Sequence, residues 1–523
     1  MASRDGPTNA SLNNEKTMKN DEFRKMSKIN PAVRIKSEPS LLMFIACIGA
    51  LLGGFSVGMV IGYASPAVNS MEKRNSHPHY DRKLDSEVET WIRSIPTIGA
   101  IVGGLAGGPL SSITGRRMCL ILSCLPMFLG WILIAAAKNT PMIITGRLIT
   151  GLVSGIFCCA TPTYVLEVVP LSLRGTFGSG FQVFVVIGIL LSSIFGMQVE
   201  WQMLAFLSSI SSIIMPIALY FCPESPIHLF NKKGATKETL NALKRLRSES
   251  SQIDAEFEEI SKTPSERQPM ILSWEQIKTP NVYYPLFYVC GMLFFQQASG
   301  VNAVVFNELD IFDLSGIKLD SNYCAIILNT VVVVVTVGSA SISDKFGRKV
   351  LLFVSGVGNT LSLFSLSVFF YLSDKNSNFG QNYGWIALLS TIAYLSCFAI
   401  GYGPIPWAIA PEMSPYFARG FITAAGTFIN WATCFLVTKE FEKMEHLLTP
   451  AGSFAFFTII SFIGMLFTSF VLPETKGKSI EEIQALFNKK AKPEKQTIST
   501  IHLDSLDIPS TIEKGRSKKD SNI

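Results

Sequence analysis

Apolar runs of about 20 residues recur along the chain between short polar segments, and each is long enough to cross a bilayer as a helix. Helices satisfy their backbone hydrogen bonds internally, as a hydrocarbon environment requires. The pattern therefore predicts an all-α membrane protein with twelve transmembrane helices. We place them at 41–63, 91–110, 117–137, 141–161, 177–198, 202–222, 283–306, 321–341, 349–372, 385–409, 419–438 and 452–472.

Polar segments divide the chain into five parts. A polar linker at 223–282 separates a first group of six helices, 41–222, from a second group, 283–472. The linker contains KRLRSESSQIDAEFEEI, whose charge pattern predicts one amphipathic cytosolic helix. The ends, 1–40 and 473–523, are polar and are expected to be disordered cytosolic tails.

The two groups of six helices share a repeated turn. GPLSSITGRRM lies at 108–118, between the second and third helices, and ASISDKFGRKV lies at 340–350, between the eighth and ninth. A six-helix unit that occurs twice is typical of transporters that rock two halves around a site near the bilayer midplane. We therefore expect two pseudo-symmetric six-helix bundles.

Charge distribution predicts the orientation of the chain. Only 16% of residues are charged and 48% are hydrophobic, whereas a soluble protein carries about 25% charge. Of the 45 Lys and Arg residues, 34 fall in alternate loops and tails that we assign to the cytosol, 10 lie in or beside external segments, and Arg147 is placed within a span. Both termini are then cytosolic. The net charge of +6 reflects this topology and gives no indication of nucleic-acid binding.

No pattern in the chain indicates an enzyme, a metal site or a cofactor. The ten cysteines lie in or at the ends of apolar spans without a CxxC spacing, which favours packing roles. Gly54-Phe-Ser-Val-Gly58 fits the hydrolase GxSxG pattern, but it lies inside a predicted membrane helix instead of a strand-to-helix turn. The chain has no phosphate-binding loop, so an ATP-driven pump is not expected.

A combination of short motifs resembles the sugar porter family of the major facilitator superfamily, over roughly residues 40–485. The motifs are GRR (115–117), GR (146–147), PTYVLEVVPLSLRG (162–175), PESP (223–226), QQASGVNA (296–303), DKFGRK (344–349), GYGPIPW (401–407), PEMSP with Arg419, and PETKGKS (473–479). Within the family the chain looks most similar to insect facilitated trehalose and glucose transporters, on SVGMVIGYASPAVNSM (56–71) and NAVVFNELDIF (302–312). The resemblance implies the major facilitator fold and sugar transport.

Polar residues in otherwise apolar helices predict the sugar site. Sugar hydroxyls both donate and accept hydrogen bonds, as side-chain amides do. The aromatic face of Trp407 can pack against a sugar ring, beside a span that GYGPIPW is expected to unwind. The alternatives are amides that hold helices together and an aromatic that only packs. The resemblance favours substrate binding by Gln182, Gln296, Gln297, Asn302, Asn329, Trp407 and Asn430, the last beside Trp431.

Charged motif residues predict a cytosolic latch between the two bundles. Opposite charges near the cytosolic span ends would bridge the bundles in the outward-open state and separate in the inward-open state. The alternative is a set of solvated helix ends that only follow the positive-inside pattern. The proposed latch residues are Arg116, Arg117, Arg147, Glu167, Arg174, Glu224, Asp344, Arg348, Glu412 and Arg419.

The chain departs from the family pattern in four motifs. No acid occurs near Ser112 in the first cytosolic turn, and PESPRxL becomes Pro223-Glu-Ser-Pro-Ile-His-Leu229. The tyrosine pair of mammalian glucose carriers is replaced by Phe306-Asn307, and the acidic position before GPGPIPW is Ala399. These changes affect the latch, the outer gate and one ligand contact.

The distribution of acids bears on energy coupling. Proton-coupled sugar porters carry a carboxylate in the first span, but Ala64 follows Gly62-Tyr63 here and residues 39–71 contain no Asp or Glu. Glu167 is the one remaining acid expected near the membrane interior. We therefore expect facilitated diffusion (uniport) of a hexose or trehalose at the plasma membrane. The alternatives are a proton-coupled symporter, a sugar receptor that does not transport, and an endosomal or lysosomal location.

Overall fold

The computed structural model describes residues 38–73, 86–170, 173–248, 251–262, 272–475, 483–484 and 486–487. The two tails predicted to be disordered lie almost wholly outside these residues. Within them the chain is helical apart from turns and a single isolated β-bridge between Pro39 and Arg247.

Eleven helical segments among the described residues are long and apolar enough to cross a bilayer. The last is two helices, so the segments supply the twelve predicted spans. Spans 1 to 10 are Leu41–Glu72, Ser86–Thr114, Arg116–Ala135, Thr140–Val168, Thr176–Gln198, Trp201–Tyr220, Pro280–Phe306, Ser321–Ser339, Arg348–Lys375 and Trp385–Ala410, and spans 11 and 12 lie within Arg419–Val471.

The boundary between spans 11 and 12 is a kink at Thr449. Thr449 has φ +63° and ψ 163°, and Pro450 follows it. A proline disfavours helical geometry in the residue before it, so the chain turns back at this point. Span 11 is therefore longer than predicted, and the twelve-helix fold class is confirmed.

The repeated turn has the same backbone geometry in both halves. Gly115 (φ +101°) and Gly347 (φ +91°) directly precede spans 3 and 9. Glycine adopts a positive φ without the steric penalty that a Cβ brings. We call the end of the molecule that carries these two turns the basic end, because Arg116, Arg117 and Arg348 follow them directly.

Glycines allow the first-half helices to approach closely. A Cβ added at Gly103 of span 2 would overlap the backbone oxygen of Leu152 in span 4, and one added at Gly58 of span 1 would overlap that of Val185 in span 5. Membrane helices associate through such small residues. Ser56, in the GxSxG sequence, lies in the same packed helix and donates to the carbonyl of Leu52 at 2.9 Å.

The linker forms short helices at Pro226–Lys233, Lys237–Leu246, Ile253–Lys262 and Trp274–Ile277. The prediction of one long amphipathic helix is wrong, because Arg247 is extended (φ −115°, ψ 153°) and pairs with Pro39. The buried guanidinium of Arg247 donates to Glu256 at 2.6 Å and to the carbonyl of Val168 at 2.8 Å. It thereby fastens the linker to the end of span 4.

Two spans of the second half are interrupted. Span 7 breaks at Gly300, which has φ +89° between helices Pro280–Ala298 and Val301–Phe306. Span 10 breaks between helices Trp385–Ile400 and Ile405–Met413, within GYGPIPW. The break in span 10 follows the sequence expectation, whereas the one in span 7 was not predicted. Non-helical backbone at membrane depth is tolerated where it is buried in protein or lines a cavity.

Candidate functional site

A central cavity lies between the two halves of the molecule. It encloses about 850 Å³ of space free of protein atoms, including its opening, and is lined by residues of spans 1, 4, 5, 7, 8, 10 and 11. All seven residues predicted from sequence to bind substrate line this one cavity: Gln182, Gln296, Gln297, Asn302, Asn329, Trp407 and Asn430.

Four of the seven form a chain of amide hydrogen bonds. Asn302 Nδ2 donates to Gln297 Oε1 at 2.7 Å, and Gln297 Nε2 donates to Asn430 Oδ1 at 3.3 Å. Asn430 Nδ2 then donates to Gln296 Oε1 at 2.7 Å. Gln296 Nε2 ends the chain by donating to the carbonyl of Tyr402, at 2.6 Å, in the break of span 10. The chain joins spans 7, 11 and 10, and each amide keeps further hydrogen-bonding capacity.

The other cavity residues complete a mixed polar and aromatic lining. Gln182 reaches the cavity from the first half, opposite the amide chain, and Trp407 lies just after the break in span 10. Trp431 also lines the cavity, and its buried Nε1 has no hydrogen-bond partner among the described residues. A buried indole N–H usually has a partner, so it is a ready donor for a ligand.

Two positions that depart from the family pattern have defined places. Ala399 lines the cavity, where it offers only a methyl group. Asn307, in the position of the second gate tyrosine, accepts a hydrogen bond from Arg93 of span 2. Asn307 therefore makes a polar contact between the two halves.

Arg93 is the centre of a charged cluster that the sequence reasoning missed. The cluster comprises Arg93 and its partners Glu89, Asn307 and Asp310, and we call it the Arg93 cluster. The buried guanidinium lies 2.5 Å from Glu89 on its own helix and 2.7 Å from Asp310 of the second half. Arg93 is the third residue of the predicted span 91–110. A charged residue inside a predicted span was the signal that could have identified it. The cluster lies at the end opposite the basic end.

Glu308 is a second functional candidate that was missed. Its side chain is 2% exposed and contacts Ser193 of span 5 and Asn329 of span 8. The expectation that Glu167 is the one acid near the membrane interior is therefore wrong. The signal was an acid two residues after the end of span 7, at the first position of the helix Glu308–Leu314.

The predicted latch residues of the first half pair with one another at the basic end. Arg116 Nε lies 3.1 Å from Glu167, and Arg116 Nη1 lies 2.6 Å from Nδ1 of His228. The carboxylate of Glu224 accepts from the backbone N–H of Arg117 at 3.0 Å. Burial, and then the Arg116 cation, lowers the pKa of His228 to about 4. The imidazole is therefore neutral at neutral pH and accepts through Nδ1.

The second half has a corresponding group. Arg348 lies 3.3 Å from Glu412, and the carboxylate of Glu474 accepts from the backbone N–H of Lys349 at 3.2 Å. Arg174 and Arg419 begin the helices Arg174–Gly178 and Arg419–Leu466. The side chain of Asp344 lies outside the described part. The Arg348–Glu412 ion pair, like the first-half pair of Arg116, joins helices of the same half, whereas the expectation was a bridge between halves.

Arg147 is misplaced in the predicted latch. It is fully buried seven residues into span 4, at the end away from Glu167. Its Nε donates to the carbonyl of Ile92 at 3.2 Å and its Nη1 to that of Val60 at 2.7 Å. Ile92 precedes Pro96 by four residues, and a proline has no N–H to complete the helical bond. Arg147 supplies that donor and ties span 4 to spans 1 and 2.

The described residues contain no candidate metal site. Across the residues that the structure describes, no group of three or more His, Cys, Asp or Glu side chains could hold a metal ion. The ten cysteines are free, and eight of them are buried among apolar neighbours.

Comparison with known proteins gives concordant results. The family described as "Sugar (and other) transporter" matches residues 42–487. A facilitated trehalose transporter, Tret1, of Apis mellifera ligustica is 34% identical over 469 residues, which cover 89% of this chain and 92% of that protein. Tret1 of Drosophila grimshawi is 36% identical over 442 residues, 84% of this chain and 47% of the relative. The chain thus spans about half the length of the Drosophila relatives it matches.

Solved structures agree on the fold. A structure of the major facilitator superfamily proton:xylose symporter XylE bound to 6-bromo-6-deoxy-D-glucose superposes with a TM-score of 0.72 at 23% identity, covering 85% of this chain and 99% of that one. An inward-open structure of XylE from E. coli gives 0.69 at 24% identity, covering 85% and 99%. At this identity the likeness establishes the fold alone. The family match and the relatives show that this multi-pass membrane chain belongs to the sugar (and other) transporter family, and the solved structures show that it has the major facilitator fold.

Proposed function

We propose that this chain is a facilitative sugar transporter that moves a hexose or trehalose down its gradient by alternating access. The observation that carries the proposal is the convergence of seven neutral polar and aromatic residues, from both halves, on one cavity. Relatives named facilitated trehalose transporters support the same substrate class.

The cavity has the chemistry that a sugar requires. Its amides both donate and accept, and in the structure they bond mainly to each other. A sugar hydroxyl replaces these bonds in kind, whereas an apolar solute that separated the amides would leave them unpaired, at a cost of about 1–3 kcal/mol each. Trp407 and Trp431 supply flat faces for the ring.

The lining also bears on coupling. Among the described residues that line the cavity, none is Asp or Glu, and residues 39–71 contain neither. A sugar bound there would have no carboxyl group lining its site, which favours uniport. The one observation that favours proton-coupled symport is Glu308, buried beside Asn329 of the cavity wall.

We further propose an orientation and a location. Positive charge collects at the basic end in Arg116, Arg117, Arg348 and Lys349, and the positive-inside rule assigns that end to the cytosol. The Arg93 cluster is then extracellular. We propose the plasma membrane as the location, because a transporter that takes up sugar from outside the cell must lie there. The ion pairs Arg116–Glu167 and Arg348–Glu412 each lie within one half. They would fix the helix ends at the cytosolic surface, where the two halves meet to form the latch.

The test is sugar uptake by the purified chain in proteoliposomes with Gln297→Leu as the probe. Its amide bonds both Asn302 and Asn430, so its loss removes about 1–3 kcal/mol and raises KM by about five- to 150-fold. Gln198→Leu, at an exposed position at the end of span 5, is the matched control and should leave KM unchanged.

The outcomes separate the candidates. Wild-type uptake of glucose or trehalose that weakens only in Gln297→Leu supports the transporter. Binding of a sugar by the wild type without flux indicates a receptor. Equal KM values for wild type and Gln297→Leu would remove the central cavity from the transport route.

A further inference from the structure

Glu308 is a buried carboxyl group whose described partners are neutral. It contacts Ser193 Oγ at 3.3 Å, and Asn329 Nδ2 lies 3.1 and 3.4 Å from its two oxygens. Within the described residues it forms no ion pair. Burying a carboxyl group without a cation is costly, so the hydrogen bonds to it carry unusual weight.

These contacts determine how the amide of Asn329 is turned. Its Nδ2 also lies 3.1 Å from Ser193 Oγ, so both N–H bonds are directed at Ser193 and Glu308. In either protonation state a carboxyl group offers this amide an acceptor oxygen. When the carboxyl group is ionised, the reversed amide would place Oδ1 against two carboxylate oxygens, and the repulsion between these oxygens disfavours it.

The consequence reaches the cavity. Asn329 lines the cavity, and with both N–H bonds committed, the polar group left for a ligand is its carbonyl oxygen. Among the described residues Oδ1 receives no hydrogen bond, and Nδ2 makes all the hydrogen bonds of this side chain. Asn329 is therefore set as an acceptor.

We propose that Glu308 is a positioning residue that fixes Asn329 as a hydrogen-bond acceptor, so that the site selects sugars with a donating hydroxyl at the matching ring position. The inference rests on the proposed function and deepens it. Glu308 itself does not line the cavity and acts through Asn329.

Fluorinated sugars test this directly, because fluorine in place of a hydroxyl cannot donate. The purified full chain in proteoliposomes transports radiolabelled D-glucose while unlabelled D-glucose or its 2-, 3-, 4- and 6-deoxyfluoro analogues compete. In the wild type, one position should show a loss of affinity of about two- to tenfold from the missing hydrogen bond to Asn329. In Glu308→Leu the freed amide can turn and donate, so the loss at that position should shrink toward onefold.

Two further variants separate positioning from a structural role. Asn329→Leu should abolish the discrimination at that position, and adding Glu308→Leu to it should change the discrimination no further. If Glu308 only held the two halves together, its replacement would alter Vmax. The KM for each fluorinated analogue, divided by the KM for glucose, would then keep its wild-type value. Should Glu308→Leu fail to fold, Glu308→Gln serves instead, because its amide can donate to Oδ1 and relax the same constraint.

The possible results are distinct. A reduced hydroxyl-over-fluorine ratio in the Glu308 variant, absent in the Asn329→Leu background, establishes the inference. Wild-type glucose transport with an unchanged ratio in the Glu308 variant overturns this inference and leaves the proposed function standing. Absence of glucose and trehalose transport by the wild type overturns the proposed function and this inference with it.

Discussion

Replacing Arg147 by methionine tests whether this arginine stabilises the first half by completing the backbone of its neighbours. Arg147→Met keeps a long side chain and removes two hydrogen bonds, to the carbonyls of Ile92 and Val60. Each bond from a charged donor contributes about 1.5–3 kcal/mol. Removing the buried charge returns part of the total, because the charge no longer has to be desolvated. We expect a net loss of about 2–4 kcal/mol in the free energy of unfolding.

The role of Pro96 gives this prediction a sharper form. In Pro96→Ala the new N–H can bond to the carbonyl of Ile92 within its own helix. Arg147→Met should then cost about 1–2 kcal/mol less than in the wild-type background. Arg117→Met is the matched control, since its Nε and Nη2 also donate to two backbone carbonyls, but at the end of span 6, where water can replace them.

Equilibrium unfolding in mixed detergent micelles, followed by far-ultraviolet circular dichroism, measures these differences. The control should lose less than about 1 kcal/mol. Additive effects of the Arg147 and Pro96 substitutions, within about 0.5 kcal/mol, would refute the reasoning, because the two residues would then act on Ile92 independently.

Three further predictions follow from the structure. Arg93→Ala should shift the resting population toward conformations open at the end that carries the Arg93 cluster, because the ion pair to Asp310 joins the halves there. Spin-label distances across that end measure the shift, and an unchanged distribution would contradict it. His228→Asn should remove an acid-induced loss of stability. The folded-state pKa of about 4 lies below the unfolded value, so the unfolded chain binds more protons as the pH falls. The free energy of unfolding of the wild type should therefore fall by about 2 kcal/mol between pH 7 and pH 5, as thermal melts at both pH values would show. Gly103→Leu should abolish the folded yield on size-exclusion chromatography because its side chain would overlap span 4, whereas Gly108→Leu, with open space around it, should not.

Much of the fold and seven polar and aromatic residues of the cavity wall could be anticipated from sequence, for a physical reason. In an apolar environment a helix of about 20 apolar residues has few alternatives, so the spans follow from hydropathy. Amides inside such helices are costly unless they have partners, and Gln296, Gln297 and Asn329 therefore indicate where polar groups meet. The turns at Gly115 and Gly347 indicate the duplication because each requires a positive φ.

The missed features lie where hydropathy is ambiguous. Charges at span ends are ordinary, so Arg93 and Glu308 become unusual only when the other half is seen to bury them. Arg147 was grouped with the basic turns by its motif, although seven residues of helix place it only about 10 Å from the far end of span 4. The break in span 7 depends on Gly300, whose positive φ is set by its tertiary position.

Sugar uptake under an imposed pH gradient tests the central proposal most directly. Proteoliposomes containing the purified chain hold unlabelled glucose or trehalose inside and receive the same sugar, radiolabelled and at the same concentration, outside, with the outside acidified. A facilitative transporter with no acid among the described residues lining its cavity should exchange label rapidly, yet produce no net accumulation with or without a protonophore. Accumulation that collapses when the protonophore is added would contradict uniport and point to Glu308 as the proton site, and exchange no faster than in empty liposomes would contradict sugar transport itself.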